Sequence, residues 1–163
     1  MRFSGPDALT AAHRVEAFDC GEAELNDWLK RRAFANHLSG ASRTFVVADE
    51  GGTVCGYYAL AAGAVAHGMA TGAVRRNMPD PVPVIVLARL AVDRRAQGQK
   101  LGAALLQDAV RRATGVSREA GVRALLVHAL HERACAFYQY YGFQVSPVHP
   151  LTLMLRLDGG AFT

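Results

Sequence analysis

Apolar residues recur at Leu25, Trp28, Leu29, Ala33 and Leu38 with polar Glu24, Asp27, Lys30 and Arg31 between them, so the spacing predicts an amphipathic helix from Glu22 to Leu38. Asp19 followed by Glu22 has the form of a capping box, with Gly21 inside it. The period then changes. Arg43 to Ala48 and Thr53 to Val65 read as two β-strands joined by the turn Asp49-Glu50-Gly51-Gly52, because turn formers separate β-branched and aromatic runs. A Gly-rich passage, AHGMATGAVRRNMPDP, and the prolines Pro79, Pro81 and Pro83 predict an irregular connection. The run VIVLARLAV after it is apolar on both faces, as a strand covered on each side must be.

The pairs Leu101/Gly102, Leu105/Leu106 and Ala109/Val110 recur every four residues opposite Gln107, Asp108, Arg111 and Arg112. They predict an amphipathic helix from Gly102 to Ala113. Val122 to Ala129 reads as a second buried strand. Glu132 to Tyr141 reads as a short helix ended by Gly142, with Phe143 placed for the apolar contact that accompanies a glycine C-cap. Strands at Phe143 to Val148 and Leu151 to Leu157 close the chain. This order implies one α/β domain over residues 1–163, with a mixed central sheet of antiparallel N-terminal strands and a parallel central pair, flanked by helices.

A chain of 163 residues buries about two thirds of its unfolded surface and can fold on its own core. With 51% hydrophobic and 20% charged residues it is expected to be ordered nearly end to end. The net charge of +4 favours anionic partners such as phosphate cofactors or RNA, and equally serves solubility. Cys20, Cys55 and Cys135 have no metal-ligand spacing and no secretory signal ahead of them, which points to a reducing cytoplasm. The most apolar stretches are broken by His67 and Arg89 well before the roughly 20 residues that a membrane span needs, so a soluble protein is expected.

The candidate chemistry centres on LAVDRRAQGQKLGAALLQDAVRRA, Leu90 to Ala113. A purely structural strand-to-helix turn is best served by a capping Ser, Thr, Asp or Asn, whereas this one offers Gln-Gly-Gln-Lys-Leu-Gly. A helix N-terminus presents unpaired N–H groups and partial positive charge, so phosphate binds there readily. Gly98 and Gly102 allow close approach, and Arg94, Arg95 and Lys100 add charge. Those features suit a pyrophosphate cradle; they also suit a glycine-tolerant turn with solvated arginines. Neither a Walker-type string nor a correctly placed dinucleotide fingerprint occurs.

The segment resembles the acetyl-coenzyme A motif of the GNAT superfamily of N-acetyltransferases, read here as Arg95-Ala96-Gln97-Gly98-Gln99-Lys100, with Lys100 where that family usually has Gly or Ala. ACAFYQYYGF resembles the family's FYxxxGF helix, which carries a tyrosine beside the cofactor thiol. FDCGEAELNDWL, RTFVVAD, RRNMPDPVPVIVLARLAVD and LTLMLRL together resemble the GNAT toxins of type II toxin-antitoxin modules. The resemblance implies acetyl-CoA as donor, contacted by Leu90, Ala91, Val92, Arg95, Gln97, Gly98, Gln99, Lys100, Leu101 and Gly102. It implies that a backbone N–H in Leu90 to Val92 serves the thioester carbonyl and that Tyr138, with a phenol pKa near 10, protonates the leaving thiolate.

It further implies the amino acid on charged tRNA as acceptor and a ribbon-helix-helix antitoxin as partner. Whether the domain pairs with itself is left open. No general base is visible, which suits an α-amine of pKa about 8 better than a lysine near 10.4. Arg75, Arg76 and Arg89 are the candidate substrate contacts, with Lys30, Arg31 and Arg32 as a further basic cluster. Arg89 stands out because a guanidinium in an apolar strand needs a partner. Cys135 reads as core, and His128 and His131 lack a third metal ligand, so no metal is expected. A housekeeping GNAT acting on a small amine or peptide N-terminus, and a non-catalytic nucleotide- or RNA-binding module, remain the alternative readings.

Overall fold

A computed structural model describes residues 2–158. Its elements are β1 (Ser4–Ala8), α1 (Ala23–Arg31), α2 (Ala33–Ser39), β2 (Arg43–Ala48), β3 (Val54–Val65), α3 (Gly72–Arg75), β4 (Val82–Val92), α4 (Leu101–Glu119), β5 (Ala124–His128), α5 (Glu132–Tyr140), β6 (Gln144–Val145) and β7 (Thr152–Arg156). The strands form one seven-stranded sheet in the order β1-β2-β3-β4-β5-β7-β6. β1/β2 and β2/β3 pair antiparallel, β4/β5 parallel, and β5/β7 and β6/β7 antiparallel, which is the mixed sheet expected from the sequence. Among the described residues no helix is long and apolar enough to cross a membrane.

The chain forms two compact units. One contains the residues up to Ala61 together with Ala88–Ala109. Its core gathers Leu9, Phe18, Leu25, Leu29, Val46, Val54, Tyr57 and Ala91, with Trp28 packed against it. The hairpin of β2 and β3 forms as its pattern demands: Asp49 closes the turn by accepting from the N–H groups of Gly51 and Thr53. Gly56 on β3 lets the first turns of α4 lie flush on the sheet, because a Cβ there would stand 2.9 Å from Leu105 and 3.3 Å from Leu101.

The other unit contains Ala62–Leu87 and the residues from Val110 onward. Val65, Ala70, Val74, Val82, Val84, Ala124, Leu126 and Met154 form its core. Ser146 donates to the carbonyl of Met69, and His67 Nε2 sits within hydrogen-bond distance of the carbonyls of Met78 and Pro79, so the Gly- and Pro-rich passage is tied down by side chains. That passage also contains the one-turn helix α3, where an irregular connection was expected.

Several expectations are corrected. The helix foreseen from Glu22 to Leu38 is two helices, because the backbone at Arg32 departs from helical angles (φ −122, ψ −34) between them. No capping box forms. Gly21, at φ +94, turns the chain so that the Asp19 carboxylate accepts from Gly21 N–H and from the Asn26 side chain instead. α4 runs six residues past Ala113 to Glu119, passing through Gly115, while Thr114 spends its hydroxyl on the carbonyl of Val110. β1 had no counterpart in the sequence pattern, and β6 is only two residues long.

Candidate active site

The loop between β4 and α4 is built on Asp93. This carboxylate is buried, and it accepts from Arg95 N–H and Arg95 Nε at 2.9 Å, from Asp19 N–H at 3.0 Å and from Arg95 Nη2 at 3.3 Å. Burial pushes its pKa up, but the Arg95 side chain and the two backbone N–H groups outweigh that and hold it below the ordinary carboxylate value. Gln97 Nε2 bonds the carbonyls of Val92 and Cys20, and Arg94 N–H bonds the carbonyl of Asp19. The segment Asp19–Cys20 is thereby stitched to the loop from more than seventy positions away. Sequence reasoning gave Asp93 no role and placed Asp19 only in a capping box. Asp93 was visible as a turn-former directly after a buried strand, but its distant partner was not.

Beyond this scaffold the backbone turns outward. Gly98 has φ +82, and a Cβ at that position would meet nothing within 4 Å. Lys100 has φ +62, a left-handed conformation that a side chain adopts at a cost. The first helical bond of α4 runs from Ala104 N–H to the carbonyl of Lys100. Among the described residues, nothing accepts from the N–H groups of Gly98, Gln99, Lys100, Leu101, Gly102 or Ala103. Unpaired amides at the start of a 19-residue helix, beside a glycine with room above it, fit the diphosphate of a coenzyme A thioester.

The sequence-named cofactor residues therefore divide. Gly98, Gln99, Lys100, Leu101 and Gly102 offer free main-chain donors, whereas Arg95 and Gln97 commit their side chains to holding the loop. Leu90, Ala91 and Val92 end β4 just before it, with Ala91 in the core and its two neighbours half-buried. Arg89 precedes them. Its Nη1 donates to the carbonyl of Ala88 at 2.8 Å, its carbon lies 5.2 Å from the centroid of the Trp28 ring, and its Nε is buried without a hydrogen-bond partner. Trp28, which sequence reasoning placed only in the core stripe, is its immediate neighbour. Lys30, Arg31 and Arg32 are exposed at the end of α1.

In the other unit, Tyr138 sits on α5 two residues before its last residue, Tyr140. Gly142, at φ +96, closes the helix: Phe143 N–H bonds the Tyr138 carbonyl and Gly142 N–H bonds that of Gln139. The Tyr138 ring is buried between Phe137 and Phe143, with centroids at 5.2 and 5.5 Å, as the glycine cap foretold. Its hydroxyl bonds no described residue. Burial pushes the phenol well above its ordinary value, which corrects the expectation of an unshifted pKa. His131 caps α5 by accepting from Ala134 N–H, and His128 lies 2.9 Å from the Thr152 hydroxyl. Cys135 is buried, with its sulfur 3.6 Å from the carbonyl of Pro150. All three have structural roles. Arg75 and Arg76 are exposed at the end of α3, and no hydrogen bond or ion pair joins either to Tyr138 among the described residues. No group of three metal-ligating side chains occurs among those residues either.

Residues 41–145 match the family described as Acetyltransferase (GNAT) domain. The chain is 54% identical, over 95% of its length and 93% of the other protein's, to a tRNA-acetylating toxin of Mycobacterium tuberculosis (strain ATCC 25618 / H37Rv). AtaT complexed with acetyl-methionyl-tRNAfMet superimposes with a TM-score of 0.84 at 29% identity, covering 92% of each chain. A Tyr-to-Phe mutant of AtaT, bound to the C-terminus of the antitoxin AtaR and to acetyl-CoA, gives a TM-score of 0.78 at 29% identity, covering 92% of this chain and 91% of that one.

Proposed function

The chain belongs to the GNAT acetyltransferase family, and from that premise we propose that it is a single-domain toxin that moves the acetyl group of acetyl-CoA onto the α-amine of an aminoacyl-tRNA, halting translation. The observation that carries this reading is the row of unpaired amides from Gly98 to Ala103 at the start of α4. The tRNA-acetylating relative supports the acceptor.

Acetyl-CoA supplies an activated acyl group when bound. The amides of the loop hold its diphosphate and the Lys100 ammonium adds charge beside them. A main-chain N–H within Leu90–Val92 donates to the thioester carbonyl as negative charge develops there. The amine nitrogen forms a bond to the acyl carbon, the carbon–sulfur bond breaks, Tyr138 delivers its proton to the departing sulfur, and the proton that the amine loses returns through water to the tyrosinate. Burial raises the phenol pKa, so Tyr138 is protonated at neutral pH and gives up its proton only as negative charge collects on the sulfur. The chain needs no strong base, because an α-amine is partly neutral near pH 7. Arg75, Arg76 and Arg89 hold the RNA, and the protein acts in the cytoplasm. A ribbon-helix-helix antitoxin keeps it silent, and a second copy of the chain is a candidate partner.

The test is to incubate charged tRNA with labelled acetyl-CoA and the protein, then identify the modified group. Label on the α-amine of the amino acid is the expected result. Label on a small amine or peptide N-terminus but never on charged tRNA overturns the toxin reading and leaves the acetyltransferase.

A further inference from the structure

Arg89, Trp28 and Tyr57 form a planar assembly in the unit that carries the loop. Tyr57 is anchored by its hydroxyl, which donates to the Leu25 carbonyl at 2.7 Å. The Trp28 ring lies nearly parallel to it, at 10° with centroids 6.0 Å apart, and the Arg89 guanidinium covers Trp28. This is an expensive way to fill space. A buried, unpaired Nε–H costs about as much as the cation–π contact returns, and a leucine would pack there without either effect.

The arrangement also limits what Arg89 can bind. Its Nε is buried and one hydrogen of Nη1 already goes to the Ala88 carbonyl, so the side-on edge that pairs Nε with a terminal nitrogen is closed to a phosphate or carboxylate. What remains is the flat face and the terminal nitrogens. A guanidinium face stacks on nucleobases, and unpaired bases in RNA are read in this way. Arg89 directly precedes Leu90–Val92, the main-chain segment assigned to the thioester.

We propose that Arg89, held flat by Trp28, stacks on a base in the single-stranded 3′ end of the RNA substrate, with Trp28 as its positioning residue. The proposal rests on charged tRNA being the acceptor. It replaces phosphate binding at Arg89 with base stacking and leaves phosphate contact to Arg75 and Arg76.

Trp28 is the only tryptophan in the chain, so its emission reports on this site alone. Titration with a single-stranded RNA oligomer ending in CCA should quench wild-type emission and leave that of Arg89→Ala unchanged. In steady state with charged tRNA, Trp28→Ala should raise KM about 10-fold to 100-fold while kcat holds. Trp28→Phe should recover most of the loss, and Arg89→Lys, which keeps the charge and loses the plane, should behave like Trp28→Ala. The salt dependence of KM should not change. An Arg89→Lys enzyme equal to wild type, or a salt slope shallower by about one unit in Arg89→Ala, overturns stacking in favour of a phosphate contact. Charged tRNA that is acetylated while Trp28 emission and the Trp28→Ala KM stay put overturns the proposal and spares the functional reading. Charged tRNA that is never acetylated fails that reading, and an unmoved emission in the same samples fails the stack as well.

Discussion

Around Gly98 the chain is fixed by charge and hydrogen bonds, with Asp93 gathering four of them and Gln97 two more. Around Tyr138 it is fixed by aromatic rings and a glycine cap, with no bond from the hydroxyl to any described residue. The two regions hold their reactive groups by opposite means, so they should fail in opposite ways. A polar scaffold is sensitive to charge and acidity; a packed ring is sensitive to volume. The Tyr138 hydroxyl, which bonds none of the described residues, is available for the proton transfer proposed for it, whereas the loop leaves its amides unpaired by employing neighbouring side chains as supports.

The sharpest way to break this contrast is Tyr138→Phe. Turnover should fall by about 10²-fold to 10⁴-fold, the range for loss of a general acid, with the thermal midpoint and acetyl-CoA affinity unchanged. Single-turnover kinetics beside calorimetry checks it, and a lowered midpoint would mean that the hydroxyl is structural after all. Asp93→Asn should show the reverse. Stability should fall by about 2–3 kcal/mol as a buried carboxylate loses its charge-assisted bonds, and the thermal midpoint by roughly 5–10 °C, with kcat at saturating acetyl-CoA much less affected.

The acid response of Asp93 has a definite sign. Its pKa is depressed in the folded chain, so the unfolded chain takes up the proton first. The stabilisation is complete above the unfolded value of about 4 and is lost as pH falls through the folded value below it. Denaturant unfolding between roughly pH 2 and 5 should show this slope in the wild type and a shallower one in Asp93→Asn, where the depressed Asp19 remains. The smallest effect sharpens the loop alone. Lys100→Gly relieves a left-handed backbone at some cost in chain flexibility, for a net gain of about 0.5–1 kcal/mol in a thermal melt; a loss would mean that the turn is not strained.

The same contrast explains what the sequence made legible. α5, Gly142 and the Phe143 contact are local, all falling between Glu132 and Phe143. The β2/β3 hairpin was equally readable because Asp49 bonds residues two and four positions away. The Asp93–Asp19 link spans 74 positions and leaves no local trace. β1 escaped because Ser4–Ala8 is SGPDA, with a proline and no alternation, and becomes a strand only through its pairing with β2. α4 outran its reading because Gly115 and Thr114 look like terminators yet sit within the helix. The amide cradle was inferred from its glycines and lysine; its supports, Asp93 and Gln97, could be assigned only once distant segments were in place.

Gly56 bears on how such a chain ages. It contributes no side-chain charge, donor or ring, yet a single methyl group there would press on Leu101 and Leu105 from beneath and lift the first turns of α4. On the proposed reading, a lineage still using the thioester is expected to keep that hydrogen atom while descendants that have abandoned it let a small residue drift in, which makes this silent spot in the sheet a marker for telling working copies from relics.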